Sequence, residues 1–164
     1  ASVVCALEAL QETVTAAFRI ARKAGVTTIL NPAPPRPLGP ELTAMTDVLV
    51  PNEHEAAELA GHDGHAGELA EELSRQLGIA GVVVTAGQQG AYVVANGARA
   101  TRLPAPSVHA ADTTGAGDAF VGALAVRLRD GVSLLESARF AVSAASVSVQ
   151  RPGTMPAFPR LDEL

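Results

Sequence analysis

Short runs that are apolar almost throughout, separated by segments of helical spacing, leave this chain very few architectures. SVVCAL (residues 2–7), VTTIL (26–30), DVLV (47–50) and AGVVVTAG (80–87) have strand length but little of the in-out alternation of a half-solvated sheet. The first reads as a buried strand. Between them, QETVTAAFRIARKA (11–24) sets Val14, Ala17, Phe18 and Ala21 at helical spacing and stops at Gly25. A short helix is expected around 41–45, another begins in EHEAAELA after Asn52, and a third covers about 66–77. GAYVVANG (90–97) alternates and ends in an Asn-Gly turn, and residues 98–111 hold an edge strand and a loop. Two long helices follow, about 115–129 and 133–149. Uniformly apolar strands alternating with helices imply an α/β fold, a mostly parallel sheet flanked by helices on both faces. NPAPPRPLGP (31–40) is too rich in proline for helix or central strand and reads as a rigid loop leaving a strand end. Ligands of such sheets collect beyond the carboxyl ends of the strands, which singles out loops 31–40, 51–55, 85–90 and 112–118.

The chain has 164 residues, 48% of them hydrophobic, enough to bury one core. Only 3% are aromatic and none is Trp, so an aromatic platform for stacked bases is not expected. A net charge of −5 argues against a broad nucleic-acid surface and against a polybasic membrane patch. Lys23 is the single lysine among 12 basic residues, so no loop ending in Gly-Lys-Ser/Thr exists to grip phosphate. Cys5 stands alone and reads as a small buried hydrophobe, which fits a cytoplasmic location. No apolar run reaches the ~18 residues of a membrane span. Glu8, Gln11 and Glu12 interrupt anything like a signal peptide.

Three constellations could carry chemistry. Asp112-Thr-Thr-Gly-Ala-Gly-Asp118-Ala-Phe120 opens a long apolar helix. Gly115 and Gly117 let a backbone approach a ligand, and free first-turn amides form an anion hole for a phosphoryl group in transfer. Asp118, ionised beside that hole, could take a proton from an attacking hydroxyl. The competing account is an ordinary capped start, with Asp112 or Thr113 as N-cap. Asn52 and Glu55 share one face of a helix start, where Glu55 could hold Mg²⁺ through water; they also have the spacing of a capping box. Thr85-Ala-Gly87-Gln88-Gln-Gly90 leaves a strand's carboxyl end and suits a nucleotide contact or a tight turn. His62-Asp-Gly-His65 lacks a third ligand at a telling spacing and reads as a solvated loop. Glu68, Glu71 and Glu72 read as an exposed helix face.

DTTGAGDAF resembles the second signature of the ribokinase-like (PfkB-type) carbohydrate kinases. Asn-Pro-Ala-Pro at 31–34, Pro-Asn-Glu-x-Glu at 51–55, Thr-x-Gly-x-x-Gly at 85–90 and Arg-x-Gly at 151–153 fall in that family's order and spacing. Asn-Pro-Ala-Pro points toward its ribokinase branch. The resemblance implies transfer of the γ-phosphate of ATP to a sugar hydroxyl, most readily that of ribose. It implies Asp118 as base beside the substrate, with the amides of Gly115, Ala116 and Gly117 as anion hole. It further implies Asn52 and Glu55 for Mg²⁺ and phosphate, and Thr85, Gly87, Gln88 and Gly90 for the nucleotide. Asp112, Thr114, Ser148, Arg151 and Gly153 match positions around a monovalent cation, usually K⁺, several through main-chain carbonyls. Ala157 stands where some members carry Ser, and Glu8 matches a sugar-contacting Glu.

The resemblance covers essentially residues 1–164, as the C-terminal nucleotide-binding and catalytic part of such a domain. The family's N-terminal half, with its Gly-Gly signature, most sugar contacts and a small β-sheet lid, has no counterpart in the chain. Little or no kinase activity is therefore expected of it alone, because transfer needs the acceptor held in near-attack geometry. Strand 2–7 is expected to present an open edge, favouring a homo-oligomer or pairing with the missing half. The alternative is a non-catalytic nucleotide-binding or interaction module derived from a sugar kinase.

Overall fold

The computed structural model describes residues 1–164. Its elements run β1 (Ser2–Ala6), α1 (Gln11–Lys23), β2 (Thr27–Asn31), α2 (Pro40–Met45), β3 (Val48–Leu49), α3 (Glu53–Ala60), α4 (Ala66–Leu77), β4 (Gly81–Thr85), β5 (Ala91–Ala95), β6 (Thr101–Leu103), α5 (Ala116–Arg129) and α6 (Leu134–Ser148). One six-stranded sheet has the order β1-β2-β3-β4-β5-β6. The first four strands are mutually parallel, and β5 and β6 continue as antiparallel neighbours.

Successive residues of a strand face opposite sides, and here both sides are covered. Leu30, Leu49, Val82, Val84 and Val94 pack with Val14, Phe18, Leu42, Leu69 and Leu73 of α1, α2 and α4. Their sequence neighbours Ile29, Val48, Val83 and Val93 pack with Phe120, Leu124, Ala138 and Val142 of α5 and α6. This double coverage is why the strands read as continuous apolar runs. Burying each such side chain stabilises the fold by roughly 1.5–3 kcal/mol.

Three expectations need correction. Strand β5 does not alternate between core and solvent: Ala91, Tyr92, Val93 and Val94 are all buried, because α4 and α6 contact its two faces. Strand β3 keeps only two residues of the expected four. Backbone bonds still flank it, from the Asp47 amide to the Thr28 carbonyl at 3.2 Å and from the Val50 amide to the Leu30 carbonyl at 2.8 Å, and the Asp47 carboxylate adds to them by accepting from the Thr28 amide at 2.9 Å and the Thr28 hydroxyl at 3.0 Å. Strand β1 is half-exposed rather than buried. It pairs with β2 alone, its outer edge is open, and Val4 is 42% exposed. No helix is long and apolar enough to cross a membrane.

Candidate active site

The chain leaves β3 through Pro51 and turns into α3 at Asn52. The Asn52 Oδ1 accepts from the Glu55 amide at 2.9 Å, and the Glu55 Oε2 accepts from the Asn52 amide at 2.8 Å. The capping box considered from the spacing is therefore formed, and it closes this helix end on itself. Glu55 is only 9% exposed, yet its other carboxylate oxygen accepts no hydrogen bond. Asn52 also bridges to Thr85 in parallel fashion, and the Thr85 amide donates to the Pro51 carbonyl at 2.9 Å. The carboxyl ends of β3 and β4 are thus held side by side.

The start of α5 is built differently. Neither Asp112 nor Thr113 caps it; Gly115 occupies the N-cap in the left-handed region (φ 76°) and no side chain caps the helix. Added at Gly115, a Cβ would also lie 3.2 Å from the Phe158 ring. The Asp112 carboxylate is used elsewhere. One oxygen accepts from the Thr114 amide at 2.9 Å and the other from the Gly153 amide at 2.9 Å. Hydrogen bonds from the Thr114 side chain and backbone, then from Gly153, hold its carboxyl down at about 2. Of the three amides expected to form an anion hole, that of Ala116 is taken, donating to the Thr113 carbonyl at 3.2 Å. Those of Gly115 and Gly117 donate to no acceptor in the chain, nor does that of Asp118. The Asp118 carboxylate lies exposed in this first turn with no ion-pair partner. A Cβ at Gly117 would meet only open space. Free amides and the helix dipole together make this end attractive to anions.

These two helix starts meet. Asn52, Glu55, Thr85 and Gly117, from three separate loops, line one cavity of about 80 Å³ together with Asn31, Val50 and Val121. Asn31 ends β2 and was not singled out from the sequence as a site residue. Its signal was available, since it is the first residue of the Pro-rich loop at a strand's carboxyl end. Its side chain has no hydrogen-bond partner in the protein, so its amide is free to face a ligand.

Other expected residues lie outside this cavity. Gly87 and Gln88 sit in a 3-10 turn, Gly87–Gln89, exposed to solvent. Gly90 (φ 95°) has a structural reason to be glycine, because a Cβ there would fall 1.9 Å from the Leu103 carbonyl oxygen. Glu8 is exposed just beyond β1. The five residues expected around a monovalent cation belong to two segments stitched together. Besides the Asp112–Gly153 contact, the Ala111 and Asp112 amides donate to the Val149 carbonyl at 2.8 and 3.1 Å, and the Arg151 amide to the Ser148 carbonyl at 3.2 Å. The Ser148 hydroxyl donates to Ala145, and the Arg151 guanidinium is paired with Glu163. The carbonyls of Asp112, Thr114 and Gly153 accept no hydrogen bond, which fits main-chain ligation of a weakly charged ion. Ala157 is buried.

No group of three or more His, Cys, Asp or Glu side chains is placed to hold a metal ion. One free carboxylate oxygen at Glu55 fits Mg²⁺ held largely by water and phosphate, and nothing more demanding. The histidines do other work. His62 pairs with Glu72 at 2.9 Å. His65, expected to be a solvated loop residue, caps α4 by accepting from the Gly67 amide at 3.2 Å and stands edge-on to Tyr92.

Comparison with known proteins bears on this arrangement. The model for the pfkB family carbohydrate kinases matches residues 1–161. The chain is 37% identical to a ribokinase of Staphylococcus aureus over 166 aligned positions, covering 99% of this chain and 54% of that protein. It is 36% identical to a ribokinase of Schizosaccharomyces pombe, covering 96% and 52%. A solved structure of Arabidopsis thaliana ribokinase complexed with ribose and ATP superposes with a TM-score of 0.90 at 31% identity, covering 99% of this chain and 54% of that one. The chain spans about half the length of the curated relatives it matches.

Proposed function

The chain belongs to the pfkB family of carbohydrate kinases, and from that premise we propose that it is the phosphate-handling part of an ATP-dependent sugar kinase acting on ribose. One observation carries the reading: side chains and amides from three loops converge on a single cavity beside an uncapped helix start. The relative complexed with ribose and ATP supports the choice of both substrates.

Phosphoryl transfer depends on positioning and charge stabilisation more than on covalent help. The free amides of Gly115, Gly117 and Asp118 receive the transferring phosphoryl oxygens, and the dipole of α5 adds to their pull. The Asp118 carboxylate accepts the proton of the attacking sugar hydroxyl. Transfer through a loose transition state removes that proton late, so a carboxylate is basic enough. Thr85, with the turn at Gly87, Gln88 and Gly90, lies along the nucleotide, and the amides of Asn31 and Asn52 orient phosphate oxygens or their water. Glu55 holds hydrated Mg²⁺, which when bound neutralises phosphate charge. Asp112, Thr114, Ser148, Arg151 and Gly153, several of them through main-chain carbonyls, suit K⁺ beside the hole, and Glu8 reaches toward the sugar.

Titration of the purified chain with ATP and Mg²⁺ by calorimetry, followed by an assay for ribose-dependent ADP release, tests the reading. Saturable nucleotide binding that Gly117→Val abolishes is the expected result. Absence of binding, or binding indifferent to Gly117→Val, overturns it. Ribose-dependent ADP release shows that the chain is competent alone. Binding without release assigns the acceptor contacts to other polypeptide.

A further inference from the structure

At the opposite end of β4 from the cavity, the carboxyl end of α4 and the β5–β6 turn enclose a groove of about 470 Å³. That volume falls within the ~300–1,000 Å³ range of small-molecule sites. Ile79 and Val94 are buried beneath it, and the apolar side chains that reach its surface are those of Ala80 and Ala98. Its walls carry two cations, Arg75 and Arg99. The arginine ion pairs of this chain use Arg19, Arg22, Arg129, Arg139, Arg151 and Arg160. Neither Arg75 nor Arg99 has a carboxylate partner, in a chain whose net charge is −5. The one carboxylate lining the groove, Glu71, accepts from the Ala100 amide at 2.8 Å, and its single negative charge stands against two guanidinium charges. The Ser74 hydroxyl is spent on the Ile79 carbonyl at 2.8 Å. The Asn96 carboxamide and the amides of Gly78 and Gly97 make no hydrogen bond within the chain and are available as donors.

We propose that this groove binds a small organic oxyanion, a phosphate ester or a carboxylate. Arg75 and Arg99 hold its charged end, and Ala80 and Ala98 face its organic body. A guanidinium offers a planar fork of donors that matches either oxyanion, and free amides nearby add neutral donors. The site lies apart from the starts of α3 and α5 and does not depend on the kinase reading.

The test is a titration of the ¹⁵N-labelled chain at constant ionic strength with phenyl phosphate and, separately, with benzoate. Amide resonances of Gly78 and Gly97 report the groove, while those of Gly115 and Gly117 report the active site independently. The expected result is saturable movement of Gly78 and Gly97, with Arg75→Gln and Arg99→Gln each weakening binding about tenfold. Both arginines are solvent-facing, so unchanged spectra elsewhere confirm that the variants fold. A response to phenyl phosphate alone identifies the natural ligand as a phosphate ester, and a response to benzoate alone as a carboxylate. If neither probe moves Gly78 and Gly97, if movement is confined to Gly115–Asp118, or if the two variants titrate like the parent, the proposal is overturned.

Discussion

Helices α3 and α5 start at the same end of the sheet and border the same cavity, yet one start is closed and the other open. At α3, two side chains satisfy two of the orphan amides within the chain, and the bulk of Glu55 is buried in doing so. At α5, a left-handed glycine turns the chain without offering any side chain, and amides are left over. Elsewhere the structure is economical with such losses, with Arg127 Nε its single buried side-chain atom lacking a partner. Even that guanidinium lies over the Phe140 ring at 5.1 Å. The contrast separates scaffold from working part: a closed helix start stabilises the cavity wall, and an open one supplies the groups a phosphate would take up.

Four substitutions or conditions can break or sharpen this contrast. The largest effect falls on Asp118. Asp118→Asn lowers any ribose-dependent ADP formation by about 10²–10⁴-fold, while ATP binding holds or tightens as a negative charge leaves the helix start. Steady-state rates and calorimetry check the two halves; a parental rate in the variant removes Asp118 as base. Next, Asn52→Ala opens the closed start and destabilises the chain by about 1 kcal/mol, read as an earlier urea midpoint with unchanged slope. Gly117→Ala goes the other way. With open space around it and a helical backbone, alanine stabilises the chain by about 0.5 kcal/mol but crowds the cavity and weakens ATP binding. Equal binding with raised stability would mean that Gly117 is not kept open for a ligand. The smallest effect is a pH dependence. Because the folded carboxyl of Asp112 is depressed to about 2 from an ordinary 3.8, its clamp is fully present above pH 4 and lost as pH falls through about 2. Acid titration of the Thr114 and Gly153 amide shifts follows it, and a midpoint at the ordinary value would show that the clamp is weak.

Much of this was legible along the chain. The residues of α4 are those expected, because its apolar spacing and the glycine at 78 mark it locally. The reciprocal cap at Asn52 and Glu55 is a four-residue pattern and could be read as one. The cap of α5 could not, because the Asp112 carboxylate is drawn away by Gly153, 41 residues distant, and only the folded C-terminal segment reveals that competitor. The place of Asn31 at a strand's carboxyl end is written in its Pro-rich loop, but that it shares a cavity with Glu55 and Gly117 depends on the alignment of separate strands. The full burial of β5 depends on which helices cover it, and period-two patterning holds no record of that.

Gly90 carries a last consequence. Its place in Thr-x-Gly-x-x-Gly is enforced by the turn into β5, where a carbonyl of the following strand occupies the room a side chain would need. Descendants of such a domain that had lost all use for ATP would still keep this glycine, on pain of unfolding the hairpin. As a diagnostic of nucleotide binding in distant homologues, Gly90 is therefore uninformative, whereas Gly117, which nothing steric protects, would be among the first positions to drift once selection for catalysis relaxed.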